Sequence, residues 1–418
     1  MAHIQDRWWR TATDEHGRVR RDARGKPKKE KTELHGRGNR YKVRYIDPEG
    51  NERSASFPDG KYKAAQEWKA KQEVDIARGD YVDPKAGTVT VEAFGKHWLA
   101  DLDIDELSRQ NLEMRFRRRI FPHLGSAEIG SVKPSTVRSW DRMLRDEGLS
   151  DRYRHTLFGN LSAMFTAAID DGLLAGNPCV GKSVKKPKAS KKKIVPWPEE
   201  RVWRVQSQLP EKFRVLVDLC AGVGLRQGEA LGLAAEDIDF DRGVIHVQRQ
   251  VKKIRYKHVF APPKYDKHRD VPLPDPVRLA LQEYMSRYPP KEITLPWKSP
   301  DGAPHTAQLI VTSAWGKVVD AKDFNKDRWK PALRAAGVSH GKYENGMHEL
   351  RHFFASVLLD QGESIKAVSE WLGHADAAFT LQTYTHLMPS SDKRTRKVID
   401  GLYGRKDAHT GPDGPYTA

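Results

Sequence analysis

Between Lys182 and Lys193 the chain carries seven lysines and no acid, with a proline and small residues among them. Seven like charges repel one another and resist packing, so the stretch predicts an extended linker dividing the chain into separately folding parts. It reads either as a solvated tether or as a strap laid along a polyanion. The 418 residues give room for two or three domains at ~150 residues each. Hydrophobic residues make up 38% of the chain, enough to bury real cores, which excludes a small stapled scaffold. No apolar run approaches the ~18 residues of a membrane span, so no membrane partner is expected. Met1 to Arg10 is polar and aromatic, without the apolar stretch of a secretory signal, which points to the cytoplasm. The two cysteines, Cys179 and Cys220, lack paired spacing, and that excludes a disulfide framework or a cysteine-based zinc site.

Lysine and arginine outnumber acids 73 to 56, a net charge of +17. A field of that sign attracts polyanions, of which nucleic acid is the commonest. The charge is uneven: residues 1–44 hold 14 Lys and Arg against 6 Asp and Glu. Tyr41 to Tyr45 alternates as a strand, Asp47-Pro-Glu-Gly-Asn51 is turn chemistry, and Glu52 to Phe57 returns as a second strand ahead of a helix over 61–78. A two-stranded ribbon fits a DNA major groove, which makes Arg40, Lys42 and Arg44 candidate contacts. A small sheet with a solvated charged face explains the same pattern.

From Thr90 to Asp171 the periodicity is helical, with segments near Val91 to Leu102, Leu107 to Ile120, Lys133 to Glu147 and Arg152 to Ile169. Arg115, Arg117 and Arg118, with Arg119, crowd one of them and are candidate phosphate contacts, as are Lys185 and Lys186 in the linker. Beyond Trp197 the pattern gives helices at 199–208 and 212–221, paired strands at 244–251 and 255–260, a third strand at 269–273, and then mostly helix. The fold expected is multidomain, mainly α with small β-sheets. It comprises a basic β-rich arm at 1–87, an all-α domain at 88–181, the linker at 182–193, an α+β domain at 194–404 and a disordered tail at 405–418.

Four stretches of the last domain offer groups suited to a phosphate. In Gly224-Leu-Arg-Gln-Gly-Glu229, Arg226 stands at the mouth of a helix with Glu229 one turn on, able to hold the guanidinium. Pro263-Lys-Tyr-Asp-Lys-His-Arg-Asp-Val-Pro-Leu273 is a turn between strands carrying Lys264, Lys267 and Arg269. His348-Glu-Leu-Arg-His352 puts His348 and Arg351 on one helix face, and Trp371-Leu-Gly-His374 precedes Tyr384 by ten residues in Thr383-Tyr-Thr-His386.

Taken together, Gly-Leu-Arg-x-x-Glu, the lysine before x-Val-Pro-Leu, His-x-Leu-Arg-His, Leu-Gly-His and Tyr-x-His resemble the tyrosine recombinase, or phage integrase, family, in family order over roughly half the chain. Trp329-Lys-Pro-Ala-Leu333 and Thr385-His-Leu-Met-Pro-Ser390 look especially like integrases of actinobacterial phages and integrative elements. The resemblance implies an arm-type DNA-binding domain, a helical core-binding (SAM-like) domain and a catalytic domain. It implies a site-specific DNA recombinase acting through a 3′-phosphotyrosyl intermediate. Arg226, His348 and Arg351 would grip the scissile phosphate, His374 would complete the pocket, Glu229 would support Arg226, and Tyr384 would be the nucleophile. Lys264 fits the family's hairpin lysine, which protonates the departing 5′ oxygen, although the Thr or Ser that often follows it is Tyr265 here and Lys267 lies close. Partners implied are double-stranded DNA attachment sites, a homotetramer on DNA, and accessory DNA-bending or directionality proteins; residues 391–403 read as an amphipathic helix that either docks on a neighbour or packs on its own chain.

The physics points the same way. Two arginine forks and histidine donors can stabilise the charge that gathers on a phosphodiester under attack, without a metal. A tyrosine at its ordinary pKa of ~10 is a poor nucleophile at neutral pH unless cations favour the phenolate or a base takes its proton. A cationic pocket is expected to meet that need. No cofactor is implied, since neither phosphate-binding glycine motif is present. Two readings from other classes compete. His348-Glu349-Leu350-Arg351-His352 spells the zincin pattern His-Glu-x-x-His. Its metzincin continuation fails at Ala355 and Leu358, leaving Glu370 as the candidate third ligand, and Arg226, Lys264, His374 and Tyr384 go unexplained. A non-catalytic DNA-binding protein is the other, and the completeness of the residue set argues against it.

Overall fold

The computed structural model describes residues 2–79, 81, 83, 86–189, 194–341, 344–374, 376–384 and 400. Two compact units emerge, Met1–Ser190 and Lys191–Ala418. The expected tail at 405–418, most of 391–403 and Thr385 to Ser390 lie outside the described residues.

The first unit opens with β1 (His3–Asp6), the short pair β2 (Trp9–Thr11) and β3 (Lys29–Lys31), and the hairpin β4 (Tyr41–Ile46) and β5 (Glu52–Phe57). β4 is the middle strand of an antiparallel sheet, with β1 on one side and β5 on the other. Its alternation turns Tyr41, Val43 and Tyr45 inward, where Ile4, Phe57 and Trp68 complete a small core under α1 (Tyr62–Arg78). Lys42 and Arg44 share the opposite face. The helical part follows as α2 (Val91–Asp101), α3 (Glu106–Arg115), α4 (Phe121–Leu124), α5 (Pro134–Asp146) and α6 (Asp151–Asp170). Between α3 and α4 the run widens to a π-helical turn over Phe116–Ile120, and Phe116 and Ile120 enter the core while Arg117 and Arg118 stay exposed. In α5 the buried Val137, Trp140 and Leu144 recur at helical spacing and form the stripe that packs inward.

Residues 182–189 are no free tether. Arg138 Nη1 donates to Ser183 Oγ at 2.5 Å, His155 Nδ1 bonds the Pro187 carbonyl at 2.7 Å, and Val184 packs on the helical core. Lys185 and Lys186 remain exposed. These hydrogen bonds and the packing of Val184 hold a stretch of chain that charge repulsion alone would release.

The second unit runs α7 (Glu199–Ser207), α8 (Glu211–Val217), a π-helical turn at Asp218–Gly222, α9 (Gln227–Leu231), β6 (Ile238–Asp239) and β7 (Val244–Val247). The hairpin β8 (Gln250–Ile254) and β9 (Lys257–Ala261) then precedes β10 (Arg269–Pro272). The sequence predicts one strand from Val244 to Val251 paired with 255–260, and here the structure differs. β7 pairs with β6 and with β10, and a separate hairpin starts at Gln250. The break has a cause in Arg249, which turns inward to an ion pair with buried Asp237 at 2.5 Å. The hairpin also reverses later than expected, because Arg255 and Tyr256 both take positive φ as its two-residue turn. The rest comprises α10 (Asp275–Arg287), the hairpin β11 (Lys291–Pro296) and β12 (Pro304–Leu309), α11 (Ala321–Phe324), α12 (Lys330–Ala335), α13 (His348–Asp360), α14 (Ile365–Leu372) and α15 (Ala377–Tyr384). Its large core joins α7, α8, the small sheet and α12. A second cluster gathers α13, α14 and Tyr384. Both cysteines are buried free thiols. Among the described residues no helix is long and apolar enough to cross a membrane.

Candidate active site

Glu229 organises one side of the site. Its carboxylate is buried and accepts four donors: the Arg226 backbone N–H at 2.9 Å, Arg226 Nη1 at 2.8 Å, Arg269 Nη1 at 3.2 Å and Arg269 Nη2 at 2.6 Å. Local sequence explains half of this, since a Glu three residues after the helix-capping Arg226 reaches back to its N–H as a capping box. Strand β10 supplies the other half, because the residue that pairs with Val247 at the strand's start is Arg269. Burial alone would raise the Glu229 carboxyl, but Arg269, Arg226 and Arg351 hold it at about 2. The sequence names Arg269 only as one cation of the 263–273 turn; its role as the second guanidinium on Glu229 is what motif reading missed.

Arg351 is 1% exposed on α13. Nη1 donates to the Gly224 carbonyl at 2.6 Å, and Nη2 donates to the Leu372 carbonyl. The Gly224 turn admits no side chain: φ is +69°, and a Cβ would stand 2.4 Å from the Phe354 ring. Burial, then Arg226, press the Arg351 guanidinium down to about 9, which leaves it charged at neutral pH. Arg226 Nη2 donates to the carbonyl of Gly373, the left-handed cap of α14, at 3.2 Å. The motifs Gly-Leu-Arg, His-x-Leu-Arg and Leu-Gly-His are thus tied through backbone carbonyls, 147 residues apart in the case of Arg226 and Gly373.

On the other side stand the histidines and the phenol. His374 Nδ1 bonds Thr380 Oγ1 at 2.6 Å, and burial followed by Arg351 and Arg226 pushes the ring down to about 3. His348 begins α13 at the solvent-exposed rim, where crowding by protein and by Arg351 and Arg226 also lowers it, a push that solvent screening softens. Tyr384 ends α15 and is 2% exposed. Its hydroxyl bonds His352 Nδ1 at 2.6 Å. The expectation that cations alone favour the phenolate is corrected here: burial outweighs Arg351, and the Tyr384 phenol is pushed up to about 12. His352, quoted in the motif but given no role beyond the zinc reading, is the residue the sequence undervalued.

The two loop lysines part company. Lys264 Nζ lies 4.9 Å from the Tyr265 ring centroid, on a turn where Tyr265 and Asp266 take positive φ. Lys267 Nζ instead donates to the His374 carbonyl at 3.1 Å. A cavity of about 500 Å³ lies beside Lys267, lined also by Arg269, Lys366, Glu370 and His374. Among the described residues no three His, Cys, Asp or Glu side chains stand together as metal ligands, so His348 and His352 lack a third partner. The candidate DNA contacts are elsewhere. Arg40 is drawn into ion pairs with Asp6 at 2.9 Å and Asp59 at 3.0 Å, and Arg44 pairs with Glu52 at 2.8 Å.

Residues 199–390 match the family model described as Phage integrase family. A tyrosine recombinase XerC-like protein of Caldanaerobacter subterraneus subsp. tengcongensis is 27% identical over 366 residues, covering 80% of this chain and 90% of that protein. The integrase of Mycobacterium phage D29 is 24% identical, covering 88% and 96%. Among solved structures, the Tn1549 transposon integrase in complex with a circular intermediate DNA superposes with a TM-score of 0.59 at 23% identity, over 70% of this chain and 93% of that one. A lambda integrase tetramer bound to a Holliday junction gives 0.56 at 17% identity, over 82% and 91%. Those structural likenesses fix the fold, mixed helix and small sheet. Residues 199–390 thus form a domain of the phage integrase family, and the relatives that match most of the chain are named as tyrosine recombinases and integrases.

Proposed function

We propose that this chain integrates or excises a phage or mobile element by cutting and rejoining double-stranded DNA at attachment sites, with Tyr384 as the nucleophile. What supports the reading is a cluster in which Arg226 and Arg351 bear on His348 and His374, with Arg351 also bearing on the buried Tyr384 phenol. In the reaction the phenolic oxygen attacks phosphorus, leaving a 3′-phosphotyrosyl bond and a free 5′ hydroxyl. Arg226 and Arg351 stabilise the charge developing on the non-bridging oxygens, each through N–H groups left over from its carbonyl or carboxylate bonds. Neutral His348 and His374 add donors, and Glu229 with Arg269 holds the Arg226 fork in place. Lys264 delivers the proton to the 5′ oxygen. The phosphotyrosyl bond conserves the energy of the broken linkage, so religation needs no nucleotide.

Residues 1–87 serve as the arm domain, through Arg40, Lys42 and Arg44, and 88–181 as the core-binding domain, through Arg115, Arg117 and Arg118. Lys185 and Lys186 extend that phosphate track. Four cleavages in each event call for a homotetramer on DNA, with accessory bending or directionality proteins in attendance, in the cytoplasm at the nucleoid. A nicked suicide duplex carrying the attachment site, mapped from the ends of the element that holds the gene, tests the reading. A covalent protein–DNA adduct that forms in EDTA is expected. Binding without an adduct returns the non-catalytic reading, and loss of all activity with chelation returns the zinc one.

A further inference from the structure

The resting site poses a problem that its cations do not solve. Tyr384 is buried, and burial raises its phenol to about 12 in spite of Arg351. At neutral pH the hydroxyl therefore keeps its proton, and attack on phosphorus requires an acceptor within hydrogen-bond reach. Among the described residues the hydroxyl has one hydrogen-bond partner, His352 Nδ1 at 2.6 Å, with the rings 5.7 Å apart and inclined at 61°. His352 sits one turn past His348 on α13, and the two rings meet edge to face at 4.5 Å. The groups facing it are His348 and Arg351 from its own helix and Tyr384 from α15, while Glu349 bears on Tyr384. Burial first, then His348 and Arg351, push the imidazole down to about 3, so it is neutral and able to accept a proton throughout the working range. Of the two directions this bond allows, the one that serves proton transfer has the phenol donating, Nδ1 accepting and the ring proton on Nε2.

We propose that His352 is the proton acceptor for Tyr384 in strand cleavage and the proton donor to it in religation. This rests on the reading of Tyr384 as nucleophile. As the phenolic oxygen pair forms the O–P bond, the hydroxyl proton moves to His352 Nδ1 and makes an imidazolium. The P–O5′ bond breaks with its electron pair on O5′, which takes a proton from the lysine of the 263–268 loop. In religation the 5′ hydroxyl attacks, the O–P bond to tyrosine breaks, and the imidazolium returns its proton to the phenolate. Transfer is uphill at rest and becomes favourable only as the O–P bond forms, because an oxygen bonded to phosphorus no longer holds its proton and the charge gathering on phosphate favours an imidazolium beside it. His352 thereby differs from His348 and His374, whose roles are to donate to phosphate oxygens.

The test uses the full chain and a nicked attachment-site duplex with a sulfur in place of the bridging 5′ oxygen, which removes the need for a proton on the leaving group. Cleavage is followed from about pH 6 to 9. The wild-type rate is expected to be flat, since its base is already neutral. His352→Asn places an amide oxygen where Nδ1 was, keeping the hydrogen bond without the basicity. It is expected to cleave about 100-fold slower at neutral pH, with a rate that climbs about tenfold per pH unit as hydroxide takes over. His352→Ala is expected to regain activity with added imidazole, and melting temperature and DNA binding check that both variants are folded. Wild-type rate in H352N, or a slower rate that stays flat with pH and an H352A that imidazole does not rescue, overturns the assignment. Y384F run alongside separates the two claims: no adduct from Y384F with normal H352N cleavage removes His352 and leaves Tyr384 standing, whereas an adduct from Y384F removes both.

Discussion

The Arg226–Glu229–Arg269 side of the site, set on α9 and β10, is an ion-pair network, while the His352–Tyr384 side, set on α13 and α15, is neutral at rest. On the first side a buried carboxylate ties two guanidinium groups from α9 and β10. A buried pair of this kind contributes little net stability but collapses expensively if one partner is removed. What it provides is a fork held in one position before DNA arrives, so the positive charge needs no reorganisation during the reaction. On the second side burial keeps phenol and imidazole uncharged, which protects the nucleophile from spurious chemistry until a phosphate enters. Charge is prepaid where it must be fixed and withheld where it must appear transiently.

The contrast is broken most severely by Tyr384→Phe. Cleavage should fall by about 10⁴-fold or more, as for removal of any nucleophile that acts as part of a unit, with DNA affinity unchanged in a gel-shift titration. Arg226→Lys should slow cleavage by about 100-fold, because a point charge cannot keep both Glu229 and a phosphate oxygen; single-turnover kinetics measure it. Glu229→Gln leaves Arg269 buried without its counter-charge, and urea unfolding should show a loss of about 3 kcal/mol. The neutral side answers to pH instead. His352 and His374 have folded pKa values depressed to about 3 from an ordinary 6.5, so below pH 6.5 the unfolded chain binds protons that the folded site refuses. Stability should therefore be full above that pH and fall as pH drops toward 4, by up to about 1 kcal/mol per unit for each ring, which thermal melts across the range would register. Weakest of all, Lys42→Ala with Arg44→Ala should lower affinity for arm-site DNA less than tenfold and reduce the slope of log affinity against log salt by about 1 to 2.

Sequence made the first side nearly legible, because Arg226, Glu229 and Arg351 stand in short motifs whose local helical geometry does most of the assembling. Arg269 was visible as a turn cation, but its pairing with Glu229 was not, because the partner is 40 residues away in sequence and a strand register, not a motif, brings it there. His352 was visible as a letter but not as a function, since its contact with Tyr384 spans 32 residues and two helices. The helices at 91–102, 133–147 and 152–169 were readable from periodicity, whereas the split of 244–251 was not, because a buried Arg249–Asp237 ion pair leaves no trace in an alternating pattern. The linker charge signalled extension correctly only as far as solvent goes; the apolar contact of Val184 and the hydrogen bond from His155 to the Pro187 carbonyl hold residues 182–189 against the helical core.

The central claim, that the Tyr384 oxygen becomes bonded to DNA phosphorus, is reached most directly by trapping the adduct on the nicked attachment-site duplex, digesting protein and DNA, and locating the modified side chain by mass spectrometry. A nucleotide phosphate on Tyr384 is expected. A nucleotide carried by any other residue would contradict it.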